Sequence, residues 1–150
     1  MAYPSGYATY PNSVSFHKMK NMKILIKDET VGGETNNSFS FETTKTVSTV
    51  QELIKLRIFN EVENFNQRLP EYFRSLVQPT EAEVTLNGYK MVEKRNIDPE
   101  KQYYLALDAF KKNGYFLIIN NKQVESLDQE IKIQDNMELQ FIKLTPLVGG

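Results

Sequence analysis

The residues best suited to chemistry are the two that close the sequence, Gly149 and Gly150. They follow Met137-Glu-Leu-Gln-Phe-Ile-Lys-Leu-Thr-Pro-Leu-Val. In that run Leu139 and Phe141 alternate with Gln140 and Ile142, the two-residue period of a half-buried strand. Pro146 has no N–H to give a ladder, so the strand is expected to stop before it and residues 145–150 to form an extended tail. A diglycine carries no Cβ atoms and is the slimmest handle a chain can present. Such a tail can be threaded into a narrow enzyme channel, where its carboxylate is adenylated. Six extended residues reach about 20 Å at ~3.3 Å each. That length holds the reacting carbonyl inside another protein while the folded body stays outside. Leu147 and Val148 supply apolar grip for the channel, Pro146 stiffens the exit from the sheet, and bulk at Gly149 or Gly150 would clash.

Other catalytic equipment is scarce. The absence of cysteine removes disulfides, iron–sulfur ligation, thiolate zinc sites and cysteine nucleophiles together. The one histidine, His17, lies in a polar N-terminal stretch, which leaves a serine triad without a base in the folded body. Nothing in the chain asks for a metal or a cofactor, and a non-enzyme is expected. A formal net charge of −1 gives no electrostatic reason to bind nucleic acid or an anionic membrane. No run approaches the ~18 apolar residues of a membrane span. Met-Ala-Tyr-Pro-Ser-Gly-Tyr at the start lacks the charged and apolar regions of a signal peptide, so a cytoplasmic protein is expected.

The elements that must position the tail read as one α+β domain of about 22–150, preceded by a flexible arm over 1–21 whose Tyr3, Tyr7 and Tyr10 offer docking groups. Met22–Lys27 and Ser38–Thr43 form an expected hairpin joined by a long turn, with Phe39 and Phe41 on one face. Gly32-Gly33 is a turn, since no Gly-Lys-Ser/Thr follows to cradle phosphate. Thr49-Val-Gln-Glu52 is a capping box. It starts a helix whose apolar stripe is Val50, Leu53, Ile54, Ile58, Val62, Phe65 and Leu69, ending before Pro70. Tyr72, Phe73, Leu76 and Val77 suggest a short helix. Asn87-Gly88 joins two alternating runs as a hairpin. Asp98-Pro99 starts a second helix with Tyr104, Leu105, Ala109 and Phe110 inward and Gly114 as its left-handed cap. Tyr115–Ile119, an Asn120-Asn121 turn, Lys122–Glu125 and the strand from Met137 complete the domain.

Strand, turn, strand, capped helix, two strands and a closing strand with a Gly-Gly tail is the element order of a β-grasp. At the residue level the chain resembles the ubiquitin-like modifiers. Phe116-Leu-Ile-Ile-Asn-Asn-Lys-Gln-Val-Glu-Ser126 is similar to ubiquitin's apolar strand, turn and Lys-Gln-Leu-Glu-Asp motif. Ile131-Lys-Ile-Gln and Glu138-Leu-Gln-Phe-Ile-Lys-Leu144 are similar to its last loop and strand, and Thr49-Val-Gln-Glu-Leu to the start of its helix. The likeness covers roughly 22–65 and 115–150. About 50 residues then stand where ubiquitin has a short loop, so a helical and hairpin insertion at about 70–112 is expected between the main helix and the third strand. Thr145-Pro-Leu-Val148 replaces ubiquitin's arginine-containing run, which implies a dedicated activating enzyme. Divergent modifiers of this kind resemble those encoded in bacterial operons, some acting in antiphage defence.

The resemblance implies a substrate of catalysis. Gly150 is activated by an ATP-dependent enzyme and passed through a thioester relay to a conjugating enzyme and then to target amines; a deconjugating protease completes the set. Ile118, aligned with ubiquitin's exposed isoleucine, joins Ile142 and Leu144 as a candidate partner patch. Burial of the three under the insertion's helix is the competing expectation. Lys122 is the candidate acceptor lysine of the shared motif. Two other functions stay open: a sulfur carrier bearing a C-terminal thiocarboxylate, and a β-grasp interaction module that is never conjugated.

Overall fold

The computed structural model describes residues 20–144. The expected tail over 145–150 and nearly all of the expected arm over 1–21 lie outside them. In chain order the elements are β1 (Met22–Thr30), β2 (Thr35–Thr43), β3 (Val47–Thr49), α1 (Val50–Arg68), β4 (Ala82–Thr85), β5 (Gly88–Met91), α2 (Pro99–Lys111), β6 (Tyr115–Ile119), β7 (Lys122–Gln123), β8 (Glu130–Lys132) and β9 (Met137–Lys143). Among the described residues the architecture is α+β, with a mixed five-stranded sheet ordered β2-β1-β9-β6-β7 and two helices. β1 and β9 pair in parallel at its middle, Ile26 beside Leu139, and every other contact in this sheet is antiparallel. β3 with β8 and β4 with β5 form two small antiparallel pairs.

One face of the large sheet is apolar by strict alternation. Ile24, Ile26, Tyr115, Leu117, Ile119, Met137, Leu139 and Phe141 are buried there against Val50, Leu53, Ile54, Ile58, Val62 and Phe65 of α1. The helix starts as its capping box requires. The Thr49 hydroxyl accepts from the Glu52 N–H at 3.3 Å, and the Glu52 carboxylate accepts from the Thr49 N–H at 3.4 Å. Thr49→Ala is expected to destabilise the domain by about 1 kcal/mol, read as a lower midpoint in urea with an unchanged slope.

Several local expectations are corrected. β1 and β2 run to Thr30 and from Thr35, which shortens the first turn to residues 31–34. Tyr72–Val77 is not a helix. Its backbone groups go to tertiary partners: Phe73 exchanges hydrogen bonds with Tyr89 at 2.7 and 2.9 Å, and the Leu76 N–H donates to Glu61 at 3.2 Å. Leu69 takes the left-handed conformation (φ 45°) at the end of α1, so Pro70 stops the helix through a turn instead of extended backbone. After α2 the left-handed residue is Asn113 (φ 60°), not Gly114. A Cβ on Gly114 would meet the Ala109 carbonyl oxygen at 3.3 Å, so glycine there serves close approach. The inward face of α2 is also rotated. Gln102, Ala106 and Phe110 are buried while Leu105 and Tyr104 are exposed. The cause is the Gln102 amide, which donates to the Val77 carbonyl at 2.8 Å and the Ser75 hydroxyl at 3.1 Å and so turns the helix toward that segment.

The insertion thus packs beside α1, with Phe59 and Tyr103 edge to face at 6.5 Å. Its β4–β5 hairpin stays out of the large sheet.

Candidate functional site

β9 carries the chain toward the diglycine. Its last described contact is the Leu144 N–H donating to the Gly114 carbonyl at 3.5 Å, and Leu144 is exposed. Thr145, Pro146, Leu147, Val148, Gly149 and Gly150 lie outside the described residues, so the tail-recognition and conjugation expectations concern chain beyond this point.

The alternation that buries Leu139 and Phe141 turns their neighbours to the opposite face of the sheet. There Phe116 stands opposite Ile142, and Ile118 opposite Gln140. Both isoleucines are half-buried, and Leu144 follows Ile142 on the same side. The insertion's helix does not cover them, because α2 packs on α1 across the other face. Polar pairs rim the apolar strip: Lys27 with Glu138 at 2.9 Å, and the Gln140 amide to Glu29 at 3.2 Å. Phe116 belongs with the three residues picked from sequence. Its position two before Ile118 in a period-two strand was the available signal. Lys122 is not part of this group. It is exposed on β7 beside Ile119, at the end of β6 that pairs with Leu139, whereas the tail leaves from the Tyr115–Lys143 end.

At the tail exit the sheet meets the insertion. Lys143 points to the helix side, where its ammonium donates to the Ser75 carbonyl at 2.7 Å and lies 5.1 Å from the Tyr89 ring centroid. Burial and the neighbouring Arg57 charge hold the Lys143 pKa below its ordinary value.

Behind it lies a buried polar cluster. Arg57 of α1 is fully buried among the apolar stripe, yet carries a guanidinium. It forms a two-pronged pair with Asp28 of β1, Nη1 to Oδ1 and Nη2 to Oδ2, the second at 2.7 Å. Its Nε donates to Glu61 at 3.3 Å, and the guanidinium lies 4.5 Å from the Phe141 ring centroid. The other Glu61 oxygen accepts from the Ser75 hydroxyl at 2.9 Å and the Leu76 N–H. Burial pushes the Glu61 carboxyl above its usual 4.5, partly countered by Arg57 and those hydrogen bonds. No buried side-chain polar atom among the described residues lacks a partner. The cluster joins strand, helix, insertion loop and α2 in one network. Arg57 and Glu61 continue the i, i+4 line from Leu53 to Phe65, so their places on the buried face were readable from spacing.

Chemically the cluster is a structural latch: Arg57 is fully buried with both carboxylates bonded to it, and Glu61 alone also borders a surface groove beside Phe39 and Arg68. Among the described residues no group of three acidic or histidine side chains could hold a metal ion, and no helix is long and apolar enough to cross a membrane. No family model, no curated protein and no solved structure matches the chain.

Proposed function

We propose that this chain is a β-grasp protein of the ubiquitin-like modifier kind, activated at Gly150 and joined to target amines. One observation carries the reading. The large sheet is ordered β2-β1-β9-β6-β7 about a parallel β1–β9 pair, with α1 packed on one face. The strand at its centre is also the one that leads into the diglycine. That connection anchors the handle to the middle of the large sheet, as a carrier of its own C-terminus requires. Gly150 supplies the carboxylate either as synthesised or after processing. The insertion then lies beside the tail exit and bears on which enzyme can approach.

The chemistry follows from a carboxylate in another protein's active site. A carboxylate oxygen attacks the α-phosphate of ATP and displaces pyrophosphate. A cysteine thiolate of the activating enzyme attacks the resulting acyl carbon and releases AMP, and an amine then displaces the thiol to leave an amide. The chain ending at Gly150, mixed with an adenylating enzyme encoded beside it and ATP, is expected to support ATP–pyrophosphate exchange. It is also expected to form an adduct that thiols release. A stable thiocarboxylate recovered from cells, with no thioester formed, would assign it to sulfur transfer instead. Absence of both products would leave an interaction module.

A further inference from the structure

The apolar side chains left in water are not spread evenly. Of the nine large ones exposed among the described residues, three, Val84, Leu86 and Val92, belong to the β4–β5 hairpin or directly follow it. Leu86 sits in the two-residue turn and is fully exposed. Single exposed leucines are ordinary, but apolar groups gathered on one projection mark an interaction site.

The projection is braced. The Thr85 hydroxyl donates to the Gly88 carbonyl at 2.6 Å and accepts from the Asn87 N–H at 3.2 Å. Gly88 has φ +128°, and a Cβ there would meet the Phe73 carbonyl oxygen at 3.0 Å, so the turn closes directly against the buried chain behind it. At the base the Gln78 amide donates to the Ala82 carbonyl at 2.8 Å, and Arg95 pairs with Glu81. Val84 stands opposite Tyr89 and so shares its side of the hairpin. The Tyr89 ring is the one that meets Lys143 at the tail exit. The six residues beyond Leu144 reach at most about 20 Å at ~3.3 Å each. A protein that holds Gly150 in its active site therefore stands within that distance of Leu144, against the same end of the domain as the hairpin.

We propose that the β4–β5 hairpin is a docking finger for the adenylating enzyme that receives Gly150, with Leu86 entering an apolar pocket of that enzyme and Val84 packing at its mouth. Docking presupposes the activation of Gly150 proposed above, and adds to it the surface that tells this chain from other diglycine carriers. A tip fixed before the partner arrives loses little freedom on binding. A contact made equally in the bound and the reacting states raises affinity without changing the chemical step.

The test is ATP–pyrophosphate exchange by the adenylating enzyme encoded beside this chain, with the full chain as the varied substrate. Leu86→Asp is expected to raise KM about tenfold or more, the loss when a leucine is no longer buried on binding. Its kcat and thermal melt should match the parent, because Leu86 lies outside the core. Leu86→Met should keep the parental KM within about twofold. A synthetic peptide of residues 145–150 should show a far higher KM than the whole chain. A Leu86→Asp chain with the parental KM, or one that loses kcat instead, overturns docking by the hairpin and leaves the activation of Gly150 standing. So does a tail peptide used as well as the whole chain. A parent chain that supports no exchange ends both proposals.

Discussion

Replacing Arg57 with leucine is expected to cost about 3–5 kcal/mol of folding stability, a large share of the 5–15 kcal/mol typical of a domain. Leucine fills much of the volume, so lost packing is a minor part of the effect. The damage comes from what remains. Asp28 loses both prongs of its pair and Glu61 loses its Nε donor, leaving two enclosed carboxyl groups without the cation they bond to. The loss should shrink in acid. In the parent, burial already holds the Glu61 carboxyl above 4.5, and removing Arg57 takes away the largest opposing charge. A folded-state pKa raised further above the unfolded one means the folded variant binds more protons than its unfolded chain across that window. The penalty from Glu61 is then smallest below 4.5 and grows as pH rises. Urea midpoints of parent and variant at several pH values measure this. The triple variant D28V/R57M/E61Q, which removes the charges together and keeps a carbonyl to accept from Ser75 and Leu76, is expected to recover most of the loss. A single variant that melts with the parent would show that the cluster contributes nothing.

Deleting Gly149 and Gly150 is expected to abolish adduct formation entirely while leaving stability within about ±0.5 kcal/mol of the parent. The described core closes without the tail, since the last buried member is Phe141 and β9 is complete at Lys143. Phe141→Ala should do the opposite in kind. That ring is fully buried between the Tyr115 ring, 6.0 Å between centroids, and the Arg57 guanidinium. Truncating it should cost about 3–5 kcal/mol, and any surviving folded fraction should still be activated. A gel assay for covalent adducts beside thermal melts of both variants decides the matter. Adducts formed without the diglycine would end the modifier reading, and a large drop in melting temperature on its deletion would make the tail part of the fold.

Much of the α+β architecture was legible because it rests on local signals. Thr49 and Glu52 fix a helix start within four residues, Asp98-Pro99 does the same for α2, and Leu139 and Phe141 declare a buried face by alternation alone. What was not legible depends on distant partners. Tyr72–Val77 has helical spacing, but Tyr89 and Glu61 claim its backbone groups from elsewhere in the chain. Leu105 looks like a core residue until Gln102 is tied to Val77 and Ser75. Arg57 stands on the buried face by its spacing, but a charge in an apolar stripe is ordinarily solvated, and the Asp28 carboxylate that makes its burial tolerable comes from a distant strand. Of the surface at the tail exit, Ile142 and Leu144 could be read from strand period. The neighbouring Tyr89 and Ser75 could not, since no local pattern foretells which insertion residues meet a strand end.

The parallel pairing of β1 with β9 also constrains how the molecule comes into being. Contacts such as the Lys23 N–H to Asp135, 112 positions apart, join the opening of the described chain to its close. Partners so remote must be found before they repay the entropy of closing the loop between them, which slows folding. During synthesis β1 and β2 emerge long before the strand that belongs beside them. Until Lys143 has been made, β1 presents a second open edge carrying Ile24 and Ile26. A messenger cut short before that point would yield a product prone to sticking to its own kind, so the cell meets this protein either whole or as waste to be cleared.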